Sequence, residues 1–355
     1  MKATLCIDDA VGETRRVLLD PFGKPFRASI DRWSERGTRP GLDEIWWGRV
    51  KARMPGNRGW FVDLGIADHQ GVIEPTKAAA VAEGALLAVR IKSEAWADKG
   101  PVLSLADISP STPKPDRPQR HASARDAPFF SGVEIVATLK EQVARSYVDA
   151  ATEEAQTRVV SLPGGGNIAI DVTRGMVVVD VDAGDRIAEN DAETFALKLN
   201  LAAAEVAARQ ISLRGLGGLA AVDFVRMTDR RNQRSVAERF RKSLAQWLGR
   251  SSEVLELSSL GVCESAIARR ARPLHEALAP GTAEREGLDT LRLIESEGWR
   301  ARSARIRAAV SRQAFEWLEN DHIGWKDKLA GRIGARWTLE SDNRQPGRPE
   351  VWSMG

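Results

Sequence analysis

Cysteine is almost absent from this 355-residue chain, with Cys6 and Cys263 standing alone and far apart. Two such residues build neither a disulfide framework nor a cysteine zinc site within one chain, so no zinc is expected. The four histidines, His69, His121, His275 and His322, show no ligand spacing and read as ordinary surface or core residues. No apolar run approaches the roughly 20 residues of a membrane span, and Met1 to Arg16 holds no apolar stretch of signal-peptide length. A cytoplasmic protein without a membrane span is therefore expected. A dominant charge is also lacking: the formal net charge is only +3, which suits a nucleic-acid partner without demanding one. What the chain does have is length for two or three domains and 43% hydrophobic residues to fill their cores.

From Asp107 to Pro128 the hydrophobic pattern collapses, and prolines alternate with Ser, Arg and Asp. Residues 107–130 thus read as a semi-rigid linker. Residues 41–106 before it carry short strand-like runs, Ile45 to Arg53, Trp60 to Leu64, Gly71 to Ile73, Ala88 to Lys92 and Val102 to Leu105, with Pro55-Gly56-Asn57 as a turn. Strands this short and this closely spaced predict a small closed barrel of the OB-fold type, a common binder of single-stranded nucleic acid. Alternation puts Trp60, Val62 and Leu64 on the core face and Phe61 with Asp63 on the wetter face. Phe61 there is either a platform on which a base stacks or a residue packed under a loop.

Past the linker the pattern is α/β. Val133 to Thr157 reads as a strand and a helix, and Asn167 to Val172 with Met176 to Asp182 as a hairpin. Asn190 with Glu193 resembles a capping box ahead of the helical stripe Phe195, Leu199, Ala202 and Val206. Leu219 to Val225 is apolar except for Asp223, which predicts a buried central strand. The next helix carries Val236, Phe240, Leu244 and Leu248 on one side and Arg230, Arg231, Arg234, Arg239, Arg241 and Lys242 on the other. That basic face is either solvated or binds phosphate.

Asp180 and Asp182 stand two apart on one strand face, and Asp223 ends a second strand. Were the strands neighbours, three carboxylates could meet at one sheet edge. Buried carboxylates are costly unless they are paired or hold a cation, and hard oxygen ligands suit magnesium. Either aspartate could instead cap a strand or pair with an arginine, and Asp182 is readily explained as a turn residue.

Leu162-Pro163-Gly164-Gly165-Gly166-Asn167-Ile168, Val179-Asp180-Val181-Asp182, Arg214-Gly215-Leu216-Gly217-Gly218-Leu219, Val222-Asp223-Phe224-Val225-Arg226-Met227-Thr228 and Asn232-Gln233-Arg234 follow one another in an order and spacing that resemble the catalytic region of the ribonuclease E/G family. Trp47-Gly48-Arg49-Val50, Phe61-Val62-Asp63-Leu64-Gly65 and Asp98-Lys99-Gly100 are similar to its RNA-binding barrel, and a weaker likeness runs from Leu291 to Trp352. The resemblance implies a shortened endoribonuclease of single-stranded RNA. It implies an α/β catalytic domain over 161–275 that is DNase I-like, a ribonuclease-H-like remnant formed by 1–40 with 131–160, an inserted all-β OB-fold barrel, and a small α/β C-terminal domain over 276–355. It puts magnesium, with manganese admitted in its place, on Asp180 and Asp223, with Asp182 beside them in the catalytic set. It puts RNA contacts on Phe61 and Lys99, to which Arg230, Arg231 and Arg234 of the basic helix are added. A homodimer is compatible with it.

Three departures stand out. Asp180-Val181-Asp182 replaces the family's Asp-x-Asn, Ser259-Leu260-Gly261-Val262 replaces its Arg-Phe-Gly-Leu, and the zinc-binding cysteine pair after Arg272 is missing. Most of the family's pocket for a 5′ monophosphate is missing too, and the proline-rich segment, with Arg117, Arg120 and Arg125, stands in its place without a predicted element to position them. The alternative reading is a non-catalytic RNA-binding protein derived from the same family.

Overall fold

Three strands joined by tight turns begin the chain, β1 (Lys2–Ala10), β2 (Glu13–Leu19) and β3 (Pro25–Arg32), in an antiparallel meander. The computed structural model describes the chain except for residues 67–69, 75–80, 97–98, 110, 123–128, 185–190, 251 and 355, so His69, Asp98, Pro110, Arg125, Pro128 and Asn190 lie outside the described residues. Strand β2 is buried nearly throughout although it begins Glu-Thr-Arg-Arg. Its charges are tolerated because they are paired: Arg15 and Arg32 both donate to the Glu13 carboxylate, at 2.5 and 3.3 Å. Burial pushes the Glu13 carboxyl up, but the two guanidiniums outweigh it and hold the group at about 2.

The barrel follows. Strands β4 (Ile45–Arg53), β5 (Trp60–Asp63), β6 (Gln70–Ile73), β7 (Leu86–Ser93) and β8 (Val102–Leu105) run in the order β5-β6-β8-β7-β4, and β4 pairs back onto β5 to close five strands. This closed barrel is compatible with an OB-fold. Its core is Trp46, Val62, Leu64, Ile73, Val89, Ile91 and Leu103. Part of the expected linker is ordered on it: β9 (Gln119–Ala122) adds to β4, with Ile45 opposite Ala122 and Trp46 opposite Arg120. Arg120 is thereby placed on a strand and lies 3.6 Å from Glu44.

The chain then returns as β10 (Glu134–Lys140), parallel to β1, and completes the N-terminal sheet. Helix α1 (Glu141–Gln156) covers that sheet, packing Ala144, Val148, Ala151 and Ala155 against Cys6, Val17 and Leu19. A second, six-stranded sheet is built from β11 (Val159–Ser161), β12 (Asn167–Val172), β13 (Met176–Asp182), β14 (Gly218–Asp223), β15 (Glu253–Val254) and β16 (Val262–Ile267), in the order β11-β12-β13-β14-β16-β15. Helices α2 (Ala192–Leu213) and α3 (Arg230–Leu248) lie on one of its faces and enclose its core, which includes Ile168, Val179, Leu199, Val222 and Phe240. Past a short α4 (Leu274–Ala277), the remaining elements are α5 (Ala283–Arg300), β17 (Arg305–Ser311), α6 (Arg312–Glu319), α7 (Trp325–Ile333), β18 (Trp337–Asp342) and β19 (Glu350–Met354). They form a three-stranded sheet packed on helices around Leu291, Ile294 and Trp325. Among the described residues no helix is long and apolar enough to cross a membrane.

Candidate active site and nucleic-acid interface

The β12–β13 hairpin and β14 create the acidic face. In β13 the residues Val177, Val179 and Val181 are buried and Asp180 and Asp182 are exposed; in β14 Ala220 and Val222 are buried and Asp223 is exposed. The period of two sends the apolar set under α2 and α3 and leaves the carboxylates on the opposite, exposed face. Strands β13 and β14 are parallel neighbours, and their register sets Asp180 directly opposite Asp223. The strand expected to be buried on both faces is buried on one only, since Leu219 as well as Asp223 is exposed on the other. A desolvation cost therefore does not single these aspartates out; their juxtaposition does.

Among the described residues none donates a hydrogen bond to Asp180 or to Asp223, and the Arg158 cation reaches Asp180 only through its field. A pair of hard oxygen donors left to solvent fits a small divalent cation that keeps much of its water shell. Asp182 does not join them. The β13–β14 ladder ends at Asp180 and Asp223, while Asp182 lies opposite Asn167 and accepts the Gly184 backbone N–H at 2.9 Å. No cluster of three or more acidic, His or Cys side chains suited to a metal occurs among the described residues. The expected triad is thus a pair, because Asp182 lies two residues beyond the end of the neighbouring strand.

The segment after Asp223 is tied to α2. Asn200 exchanges hydrogen bonds with the Val225 backbone, donating to its carbonyl at 2.7 Å and accepting from its N–H at 3.0 Å. Glu193 accepts from Thr228 N–H, Thr228 Oγ1, Asp229 N–H and Asn232 Nδ2 at 2.8 to 3.1 Å. These donors, Thr228 N–H foremost and then the Asn232 amide, bring the Glu193 carboxyl down to about 2. The capping-box expectation is corrected here: Asp191 caps α2, accepting from Glu193 and Thr194 N–H, and the Glu193 side chain is spent on the loop that follows Asp223. Gly166 supports the other strand end, since with φ +80° a Cβ there would lie 2.7 Å from the Asp182 carbonyl.

Sequence reasoning missed Arg158. It grips Asp171 with two hydrogen bonds of 2.6 Å, and Asp171 shares the face of Asp180, standing opposite Val178 one row below it. The hydrogen bonds from Arg158 lower the Asp171 carboxyl, and Asp171, with a smaller contribution from Asp180, raises Arg158. The signal was the spacing: Val159 opposite Ala169 makes residues 158 and 171 end neighbours of one hairpin.

Most cations of the basic helix are already paired, some within the helix and some with neighbouring elements. Arg231 pairs with Asp229 at 2.9 Å, Arg234 with Glu256 at 3.4 Å, Arg239 with Glu205, and Arg241 and Lys242 with Glu238. Arg230 is exposed and has no ion pair among the described residues. On the barrel, Phe61 is half-exposed on the outer face opposite Val72, outside the barrel core. Lys99 is exposed next to the barrel, its ammonium 5.4 Å from the Trp96 ring, on which the Arg269 guanidinium also lies at 3.9 Å. Lys99, Arg90, Lys92, Arg269 and Arg270 line a groove between the barrel and the end of β16. The structure brings Asp180 and Asp223 together, and Lys99 with this groove; no hydrogen bond or ion pair joins the barrel residues Phe61 and Lys99 to the aspartates among the described residues.

Fold and site together define a mixed α/β protein in which a closed five-stranded barrel is set into a scaffold whose second sheet exposes an aspartate pair. Residues 119–270, which contain that sheet through β16, match the sequence model of the Ribonuclease E/G family. Over this stretch the chain is similar to that family. It is 34% identical over 185 residues to a protein of Haemophilus influenzae named Ribonuclease E, a match covering 49% of this chain and 20% of that protein. It is 32% identical over 215 residues to Ribonuclease E of Escherichia coli, covering 57% of this chain and 20% of the relative. It is 28% identical over 144 residues to Ribonuclease G of Escherichia coli, covering 41% and 29%. The matched region is thus about a fifth of the length of the two ribonuclease E relatives.

Proposed function

We propose that the protein is an endoribonuclease that hydrolyses single-stranded RNA in RNA processing or decay, using a magnesium ion held by Asp180 and Asp223. The observation that carries this is the register of β13 on β14, which sets those two carboxylates side by side on an exposed face. The Ribonuclease E/G match over the same strands supports it. In this reading the second sheet is the DNase I-like domain of the family and the N-terminal sheet with α1 its ribonuclease-H-like remnant, and the protein acts in the cytoplasm. A homodimer, if formed, is held without zinc.

Asp180 and Asp223 are the residues that hold the ion, and their strands, fixed by the buried valines and by the Asn200 and Glu193 contacts, keep the pair in register. When bound, magnesium supplies charge stabilisation at the phosphodiester and a place at which water is oriented. Water attack forms a new P–O bond and breaks the P–O3′ bond, with the proton ending on O3′, so the products carry a 5′ phosphate and a 3′ hydroxyl. Arg158, held by Asp171, places a cation on the same face, where a phosphate would otherwise meet carboxylates alone. Phe61 stacks a base, and Lys99 and Arg230, with Arg231 and Arg234 through exchange of their acidic partners, contact phosphates.

The test is a labelled single-stranded RNA incubated with the purified protein in magnesium and in EDTA. Internal cleavage with magnesium that stops in EDTA is the expected result. Binding without cleavage under both conditions moves the protein to the non-catalytic RNA binder.

A further inference from the structure

Away from the aspartate pair, the N-terminal sheet, the segment leading into the barrel and the end of the second sheet enclose a cavity of about 190 Å³. Its wall is rich in arginine, including Arg27 from β3, Arg39 ahead of the barrel, and Arg250 and Arg270 around β16. The carboxylates in that wall are occupied. Glu35 is gripped by Arg272 at 2.7 and 3.1 Å, Glu94 accepts the backbone N–H groups of Leu42 and Arg272 at 2.9 Å each, and Asp31 pairs with Arg36 at 3.2 Å.

Three of the arginines have no carboxylate bonded to them among the described residues. Arg27 donates only to the carbonyls of Phe129, Ser131 and Trp247, Arg39 only to that of Ala95, and Arg250 only to that of Ala268. Two buried donors on the same wall, Arg250 Nε and Ser29 Oγ, have no hydrogen-bond partner among the described residues. Burial first, then the neighbouring charges of Arg250 and Arg270, bring Arg27 down to about 10, so it remains a cation at neutral pH. Arg27 is buried while Arg39 and Arg250 are half-buried, and Arg39 feels Glu35, Glu94 and Glu276 without bonding to them; a buried cation with no carboxylate against it, as Arg27 is, is among the more costly arrangements a fold retains. Guanidinium groups converging with a hydroxyl are also the donor set that recognises a tetrahedral oxyanion.

We propose that this cavity is a binding site for a small phosphate-class oxyanion, held by Arg27, Arg250 and Ser29 with Arg39 and Arg270 adding charge, and that it locks the three surrounding segments together. The size sets the class: small-molecule sites run from roughly 300 to 1,000 Å³, so this cavity admits the anion or the terminal phosphate of a larger ligand, not a whole nucleotide. Arg250 and Arg270 also line the groove beside Lys99, which gives a tethered phosphate a way out for the rest of its ligand. The site is independent of the aspartate chemistry and stands whether or not the chain cleaves RNA.

Calorimetric titration of the full chain in chloride buffer of fixed ionic strength, with inorganic phosphate in one arm and adenosine 5′-monophosphate in the other, tests it. Saturable binding is expected, weakened at least tenfold by Arg250→Gln and several-fold by Ser29→Ala. Equal affinities for the two probes name the free anion as the ligand; tighter binding of the monophosphate names a nucleotide phosphate. No saturable binding of either probe, or binding by Ser29→Ala and Arg250→Gln equal to that of the parent, overturns the proposal. Ser29→Ala removes only a hydroxyl and decides the matter alone if Arg250→Gln does not fold.

Discussion

Neutralising Asp180 should make the metal-free protein slightly more stable while removing the proposed RNA cleavage. Asp180 and Asp223 sit opposite each other on neighbouring strands, whose spacing is roughly 4.8 Å. At that distance two unit charges in water repel by about 1 kcal/mol, and physiological salt about halves the figure. Asp180→Asn keeps the shape and removes one charge, so in EDTA the variant should melt about 1 °C above the parent. Magnesium should reverse the order. At ten times its Kd a ligand that binds only the native state contributes about 1.4 kcal/mol, and the variant, with one carboxylate left, gains far less. Cleavage should fall at least about a hundredfold, because an ion's charge stabilisation is worth several kcal/mol in the transition state. Differential scanning fluorimetry in EDTA and across a magnesium series, run beside the RNA assay, reads all three effects, and Asp223→Asn should reproduce them. A variant that melts below the parent in EDTA, gains as much from magnesium as the parent does, or still cleaves at near-parent rate would refute the assignment.

Phe61→Ala should weaken RNA binding by about 1 to 3 kcal/mol, the worth of a stacked base; unchanged affinity with a lower melting temperature would make Phe61 a packing residue instead. Lys99→Ala should weaken binding mainly at low salt and reduce the slope of log K against log salt by about 0.7, as one lost contact to single-stranded phosphate requires. Glu193 titrates below its ordinary value, at about 2 against 4.5, so its contribution to stability is complete above pH 4.5 and disappears as pH falls through about 2. Denaturation of Glu193→Gln at pH 6 and pH 3 should show a gap from the parent that narrows at the lower pH, and a constant gap would mean that the carboxylate charge is not what secures the loop after Asp223.

Strand alternation made the aspartate strands legible: Asn167–Val172 and Met176–Asp182 form the expected hairpin, and the apolar run ending near Asp223 forms β14. The pairing of β13 with β14 was not legible, because helix α2 separates them and register between parallel strands is set by packing at long range. Strand β9 was hidden for a different reason. All four of its residues are exposed, so nothing in Gln-Arg-His-Ala announces a strand, and its order comes from the free edge of β4. Strand β2 was masked by its ion pairs, since Glu13 and Arg15 look like surface residues until Arg32 is placed beside them. The basic helix shows the opposite limit: its arginines were visible, but their partners Glu205 and Glu256 come from other elements.

The pairing of Ile45 with Ala122 also bears on the order in which the chain should fold. Strand β1 must find β10, Lys2 against Glu134, and between them lies the whole barrel. A chain that attempted this with the barrel unformed would have to close a loop of well over a hundred residues, which is entropically costly and slow. Once the barrel is closed and β9 lies along β4, the entrance and exit of that long segment stand side by side, and the remaining search involves only short stretches of chain. The barrel is in this sense a clasp: its closure is expected to precede completion of the N-terminal sheet, and mutations that weaken the β4–β9 ladder should slow the appearance of that sheet more than they lower its final stability.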